Sequence, residues 1–134
     1  MENYSIDGFG KVHIIRLARG ELVIESVREF LEKAGIKNAV AVSCVGSFQK
    51  LKFRRPTDLG EHCKFEYLCI EAPMEVGTLT GSVINGSVHF HVVAADTEKQ
   101  YCGHMDEGTE TLYFLEIILV ELVNCNLERC FASE

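Results

Sequence analysis

The stretch Ser87-Val88-His89-Phe90-His91-Val92-Val93 places two histidines one residue apart inside an apolar run, and Cys102-Gly103-His104 follows further along the chain. Neutral imidazole is a good ligand for zinc, iron or nickel, and a His-x-His pair on a strand points both rings the same way, near enough to share one ion. A glycine-flanked loop returning after that strand would let His104 supply a third nitrogen. Such a set leaves coordination positions for water or substrate, as catalytic zinc sites do. The expectation is therefore that His89, His91 and His104 bind one divalent transition metal, zinc first among them. Magnesium and calcium prefer oxygen ligands and suit this set less well. Affinity should fall as pH drops through the histidine range, because a protonated imidazole cannot ligate. Cys102, Asp96, Asp106 and Glu107 lie nearby in sequence as lesser candidates.

Competing chemistry is thinner. A Cys102–His104 nucleophile would need an orienting acid and an oxyanion motif, and neither accompanies the pair. Ser47 follows Gly46 without a G-x-S-x-G context and reads as a turn. His13, in the first strand, and His62, in a loop, read as structural or surface residues. No reaction or substrate is named by these residues.

The elements that must position the histidines follow from periodicity. KVHIIRLA (11–18) reads as a strand broken by Gly20. A helix over about residues 21–34 follows, with Val23, Val27, Phe30, Leu31 and Ala34 on one face, Glu21, Glu25 and Glu29 in the early turns, and Gly35 as the stop. NAVAVSCVGSF reads as a buried strand ending at Gly46-Ser47, and KLKFR as a separate half-exposed strand before Pro56. Residues 57–63 read as a loop and KFEYLCIEA as a strand stopped by Pro73. Asn85-Gly86 between two β runs is a strong hairpin signal, since both turn residues take positive φ. That turn pairs Ile84 with Ser87, His89 with Ser82 and His91 with Thr80. Thr78, Thr80, Ser82, Ser87, His89 and His91 then share one face, and Leu79, Gly81, Val83, Val88, Phe90 and Val92 the other. Asp96–Gln100 reads as a polar turn and Gly103–Gly108 as a second irregular stretch. LYFLEIILVELV reads as a long strand, with helix as the alternative. The whole is one α+β domain, residues 1–134, dominated by an antiparallel sheet.

Bulk properties narrow the partners. The 134 residues are 47% hydrophobic and 25% charged, an ordinary globular balance. No apolar run approaches the ~20 residues of a bilayer span, and no basic-then-apolar leader opens the chain, so a cytoplasmic location is expected. The six cysteines (44, 63, 69, 102, 125 and 130) form no C-x-x-C pair and read as reduced thiols, mostly small buried hydrophobes. Twenty acidic against 13 basic residues give a net charge of −7, which argues against nucleic-acid binding without a partner, because that affinity rests on Lys and Arg. The basic cluster Lys50-Leu51-Lys52-Phe53-Arg54-Arg55-Pro56 reads as a solvated strand face.

The order RLARGELVIESVREFLEKAGI, VGSF, APMEVGTLTGSVING, HFHVVAADTEKQYCGHMDEGT and LEIILVEL resembles the plant and prokaryote conserved (PPC) domain over about residues 10–123. Arg16, Gly20, Glu21, Gly46, Ser47, Leu79, Thr80, Gly81, His89, His91, Asp96, Gly103, His104 and Gly108 match its pattern. Cys102 stands where prokaryotic members usually carry a second glycine. The Arg-Gly-Arg-Pro core of plant AT-hook members is absent. The resemblance implies a mostly antiparallel α/β fold and a homotrimer, and no settled activity. Three function classes follow: a metal-binding protein, with either an enzymatic or a small-ligand role, a DNA-associated protein, and an oligomerisation module. The histidines favour the first.

Overall fold

Strand β1 (Phe9–Ala18) turns Ile15 and Leu17 towards the core and leaves Val12 and Ile14 outside. Gly20, at φ +84°, turns the chain out of β1 towards helix α1 (Val23–Ala34), in a computed structural model that describes residues 3–125 and 127. The helix buries Val23, Ile24, Val27 and Leu31, with Phe30 packed against the cluster. Ala34 is exposed, so the buried stripe is shifted from the expected one and takes in Ile24 instead. Glu21 lies ahead of the helix, where its carboxylate accepts a hydrogen bond from the Ala18 N–H at 2.6 Å. Gly35, at φ +68°, ends the helix, and the Ile36 N–H donates to the Leu31 carbonyl.

Two expected strand boundaries do not exist. Strand β2 (Ala39–Pro56) runs through Gly46, and strand β3 (Phe65–Ile84) runs through Pro73. Gly46 sits at φ +142° beside a bulge, where a Cβ would lie 2.1 Å from the Phe114 carbonyl oxygen. Glycine here lets the strand bend and continue rather than stop. Pro73 falls where the β2–β3 ladder skips from Phe48↔Met74 to Lys50↔Glu71, a bulge that requires no donor from it.

Strand β4 (Ser87–Ala95) follows the hairpin, with Asn85 at φ 48° and Gly86 at φ 78°. Strand β5 (Gln100–Met105) occupies ground expected to be irregular. Its end is secured by the Asp106 N–H donating to the Lys52 carbonyl at 2.9 Å and by the buried Thr109 hydroxyl against the Lys52 backbone. Strand β6 (Glu110–Leu122) settles the last apolar segment as a strand, not a helix.

The order is β1-β6-β2-β3-β4-β5, with β5 also paired to β2. The first part of β2 lies beside β6 and its later part beside β5, with Phe53↔Met105 and Arg54↔His104. Strands β2, β3, β4 and β5 thereby close on one another. Phe48, Leu51, Phe53, Leu79, Phe90 and Met105 fill the inside, each such side chain contributing roughly 1.5–3 kcal/mol by burial. The fold is α+β, mostly antiparallel, with one helix among the described residues, as expected.

Candidate metal centre

The hairpin register is the expected one: Ile84↔Ser87, Ser82↔His89 and Thr80↔His91. Phe90 and Val92 point into the core, so period two sends His89 and His91 to the outer face. His104 comes from β5 directly opposite His91, not from a mobile loop. Gly103 has a different use from the one expected. A Cβ there would lie 2.6 Å from the Arg54 carbonyl oxygen and 2.8 Å from Phe53 Cδ2. The missing side chain lets β5 approach β2 closely enough to close the ring.

Ladder pairs run in one row across the closed sheet: Tyr67↔Arg54, Arg54↔His104, His104↔His91 and His91↔Thr80. Directly paired residues share a face, and His89, two residues from His91 on β4, shares it too, so three imidazoles, a guanidinium and an aromatic ring converge. One ligand atom from each of His89, His91 and His104 lies within 4.8 Å of the others. His89 Nε2 and His91 Nε2 are 3.2 Å apart, and the ring centroids are 4.7 to 5.5 Å apart. Two nitrogens bound at about 2.0–2.1 Å in a tetrahedron stand about 3.3–3.4 Å apart. The His89–His91 pair meets that spacing, and neutral imidazoles suit a borderline transition metal.

Arg54, expected on a solvated strand face, belongs to the site. Its Nη2 lies 3.1 Å from His104 Nε2, and its Nε lies 3.7 Å from Asp106 Oδ1. The Phe65 and Tyr67 ring centroids are each 5.9 Å from its guanidinium carbon. Lys52 and Arg54 do share the face opposite buried Phe53, as the alternation of KLKFR implied. No local signal shows that this face meets His104 from a strand 50 residues away. With His89, His91, His104, Phe65 and Tyr67, Arg54 lines an open cavity of about 790 Å³.

The lesser candidates separate. Asp106 stands beside His104, its Oδ1 3.9 Å from His104 Nε2. Asp96 builds its own turn, accepting from the Glu98 and Lys99 N–H groups and from the Tyr101 hydroxyl. The Tyr101 hydrogen bond, then the Lys99 and Glu98 amides, hold the Asp96 carboxyl below its usual range, and Asp96 in turn raises the Tyr101 phenol. Glu107 pairs with Arg28. Cys102 lines the cavity but stands outside the triad.

The cysteines are not mostly buried. Cys44 is, whereas Cys63, Cys69 and Cys102 are exposed on a loop and on outward strand positions, Cys125 is intermediate, and Cys130 lies outside the described residues. His62 is exposed, and His13 packs edge-on against Phe30 with Glu121 3.4 Å away.

A sequence model of the Plants and Prokaryotes Conserved (PCC) domain matches residues 4–123, and the chain belongs to that family. Among solved structures, a plant- and prokaryote-conserved (PPC) protein from Pyrococcus horikoshii is 25% identical, with a TM-score of 0.81 over 96% of this chain and 90% of that one. A metal-containing protein from Archaeoglobus fulgidus is 23% identical, with a TM-score of 0.81 over 99% and 94%. A candidate DNA-binding protein from Bacteroides thetaiotaomicron is 17% identical, with a TM-score of 0.75 over 95% and 89%. The chain spans 17% and 18% of the length of the curated relatives it matches, bifunctional GlmU proteins of two Synechococcus strains.

Proposed function

We infer that the chain binds one divalent transition metal, zinc first among them, through His89, His91 and His104. The observation that carries this reading is the convergence of three ligand atoms within 4.8 Å, with two of them 3.2 Å apart. A metal there would act as a Lewis acid towards whatever reaches its remaining positions from the cavity. The protein's own part is to hold the three imidazoles on paired strands and to place Arg54 beside them. The metal-containing protein of the same fold from A. fulgidus adds support. A homotrimer is proposed with it, supported by apolar Val12 and Ile14 left outside on β1, at 62% and 66% exposure.

The test is the metal content of tag-free wild type beside His89→Ala and His104→Ala. Wild type should carry about one metal per chain, and each substitution should lower affinity at least tenfold. Wild type that stays metal-free in excess zinc, or variants that retain the same metal, would overturn the reading. The second reading, association with DNA, has a candidate DNA-binding protein of the same fold behind it, but the −7 charge opposes it.

A further inference from the structure

We propose that the cavity takes a small organic carboxylate with a flat apolar body. Its carboxylate would lie between Arg54 and a metal on the three histidines, and its body against Phe65 and Tyr67. This rests on the metal reading above and adds to it the class of ligand.

Charge selects an anion. Three neutral imidazoles do not offset a divalent cation, Arg54 adds positive charge beside it, and Asp106, 3.7 Å from Arg54 Nε and 3.9 Å from His104 Nε2, returns one negative charge, so a metal-loaded site keeps a positive excess. The planar guanidinium fork matches a carboxylate in geometry as well as in sign. Size follows from the rest of the molecule. At a net charge of −7, the surface opposes an extended polyanion more than a compact anion that touches the site alone.

Arg54 is also poised to change partners. Its Nη2 points at His104 Nε2 from 3.1 Å, and that lone pair cannot serve a donor and a metal together. Metal bound through that nitrogen would release the Arg54 donor from it and leave that donor for an incoming anion. The walls select the rest of the ligand. Phe65 and Tyr67 are large aromatics left 49% and 70% exposed, and both border the cavity beside Arg54. A bare inorganic anion would leave those rings unused, whereas a flat carbon body covers them.

The test uses the full chain loaded with zinc, and separately with cobalt(II), titrated with benzoate, acetate and inorganic phosphate. Calorimetry reads affinity, and the visible cobalt bands read coordination. Benzoate is expected to bind at least tenfold tighter than acetate or phosphate and to shift the cobalt bands. Arg54→Gln should weaken benzoate about tenfold, roughly 1.4 kcal/mol, while still taking up about one zinc per chain in excess zinc. Tyr67→Ala should bring benzoate close to acetate. One zinc per chain with no benzoate binding, with phosphate preferred, with no cobalt shift, or with Arg54→Gln equal to wild type overturns this proposal and leaves the metal reading standing. A chain that takes up no zinc overturns both.

Discussion

The Asp96–Tyr101 hydrogen bond, 2.7 Å long, joins the turn after β4 to the strand that carries His104. Asp96 has a lowered folded pKa, caused first by Tyr101. Its contribution to stability is therefore present above the normal carboxylate range and is lost as pH falls through the lowered value. Tyr101 is shifted upwards by Asp96, so its contribution is present below the usual phenol range and is lost as pH rises through the raised value. Asp96→Asn should lower the melting temperature at neutral pH, with the difference vanishing in strong acid, and should lower the Tyr101 titration midpoint followed by phenolate absorbance. An unchanged midpoint would show that the bond does not persist in solution. The thiols offer a second check at this scale. Burial pushes Cys44 up to about 12, while Cys63, Cys69 and Cys102 are exposed. Because the thiolate is the reactive form, iodoacetamide on the native protein should modify those three while leaving Cys44 intact until denaturant is added. Peptide mass mapping reads the outcome, and early modification of Cys44 would contradict the packing around it.

Two glycines govern how the strands meet. A Cβ on Gly81 would lie 2.0 Å from the His89 carbonyl oxygen, at φ +137°. Gly81→Ala should therefore cost roughly 1–3 kcal/mol from the backbone alone, with loosening of the hairpin in addition. Gly103→Ala should push β5 away from Arg54 and lower both melting temperature and metal affinity, since His104 moves with the strand. Denaturant melts and metal titrations check both, and a wild-type Gly103→Ala protein would remove the close-approach argument. The same elements show what was legible beforehand. Asn85-Gly86 fixes the register of its ribbon by turn geometry alone, so the facing of His89 and His91 could be read from local residues. The helix likewise announces itself by pattern, whereas the last strand, apolar on both faces, left helix open as an alternative. Pro73 and Gly46 misled because a bulge tolerates either residue without ending a strand. Strand β5 was missed because Gly103 masks a short alternation, and Arg54 because its partner is a long-range strand neighbour that no local rule identifies.

For the whole molecule, light scattering should give a mass near three times the 15.0 kDa of one chain. A mass equal to that of one chain across micromolar concentrations would refute the trimer. Val42 and Val45, at 56% and 51% exposure, add to the outward apolar surface of β1 that an interface would cover. The acidic balance carries a further expectation. Fluorescence titration with duplex DNA near physiological salt should show no sequence-specific binding at ~10⁻⁸ M or tighter, the range of true regulators. Binding that tight would revive the DNA reading.

The closed arrangement of β2, β3, β4 and β5 also sets an order of events during folding. Two ligands sit on one hairpin strand and form by a local reversal of the chain, which is fast. The third joins them through the next hairpin, which sets His104 opposite His91, and that reversal is local as well. What comes late is the closure of β5 on β2, which brings Arg54 to His104 across a separation of 50 residues, and such distant pairings are slow. A nascent chain therefore carries all three imidazoles on one ribbon before the guanidinium stands beside them. Metal captured early would wait for Arg54, whose arrival would mark the moment when the ring has shut.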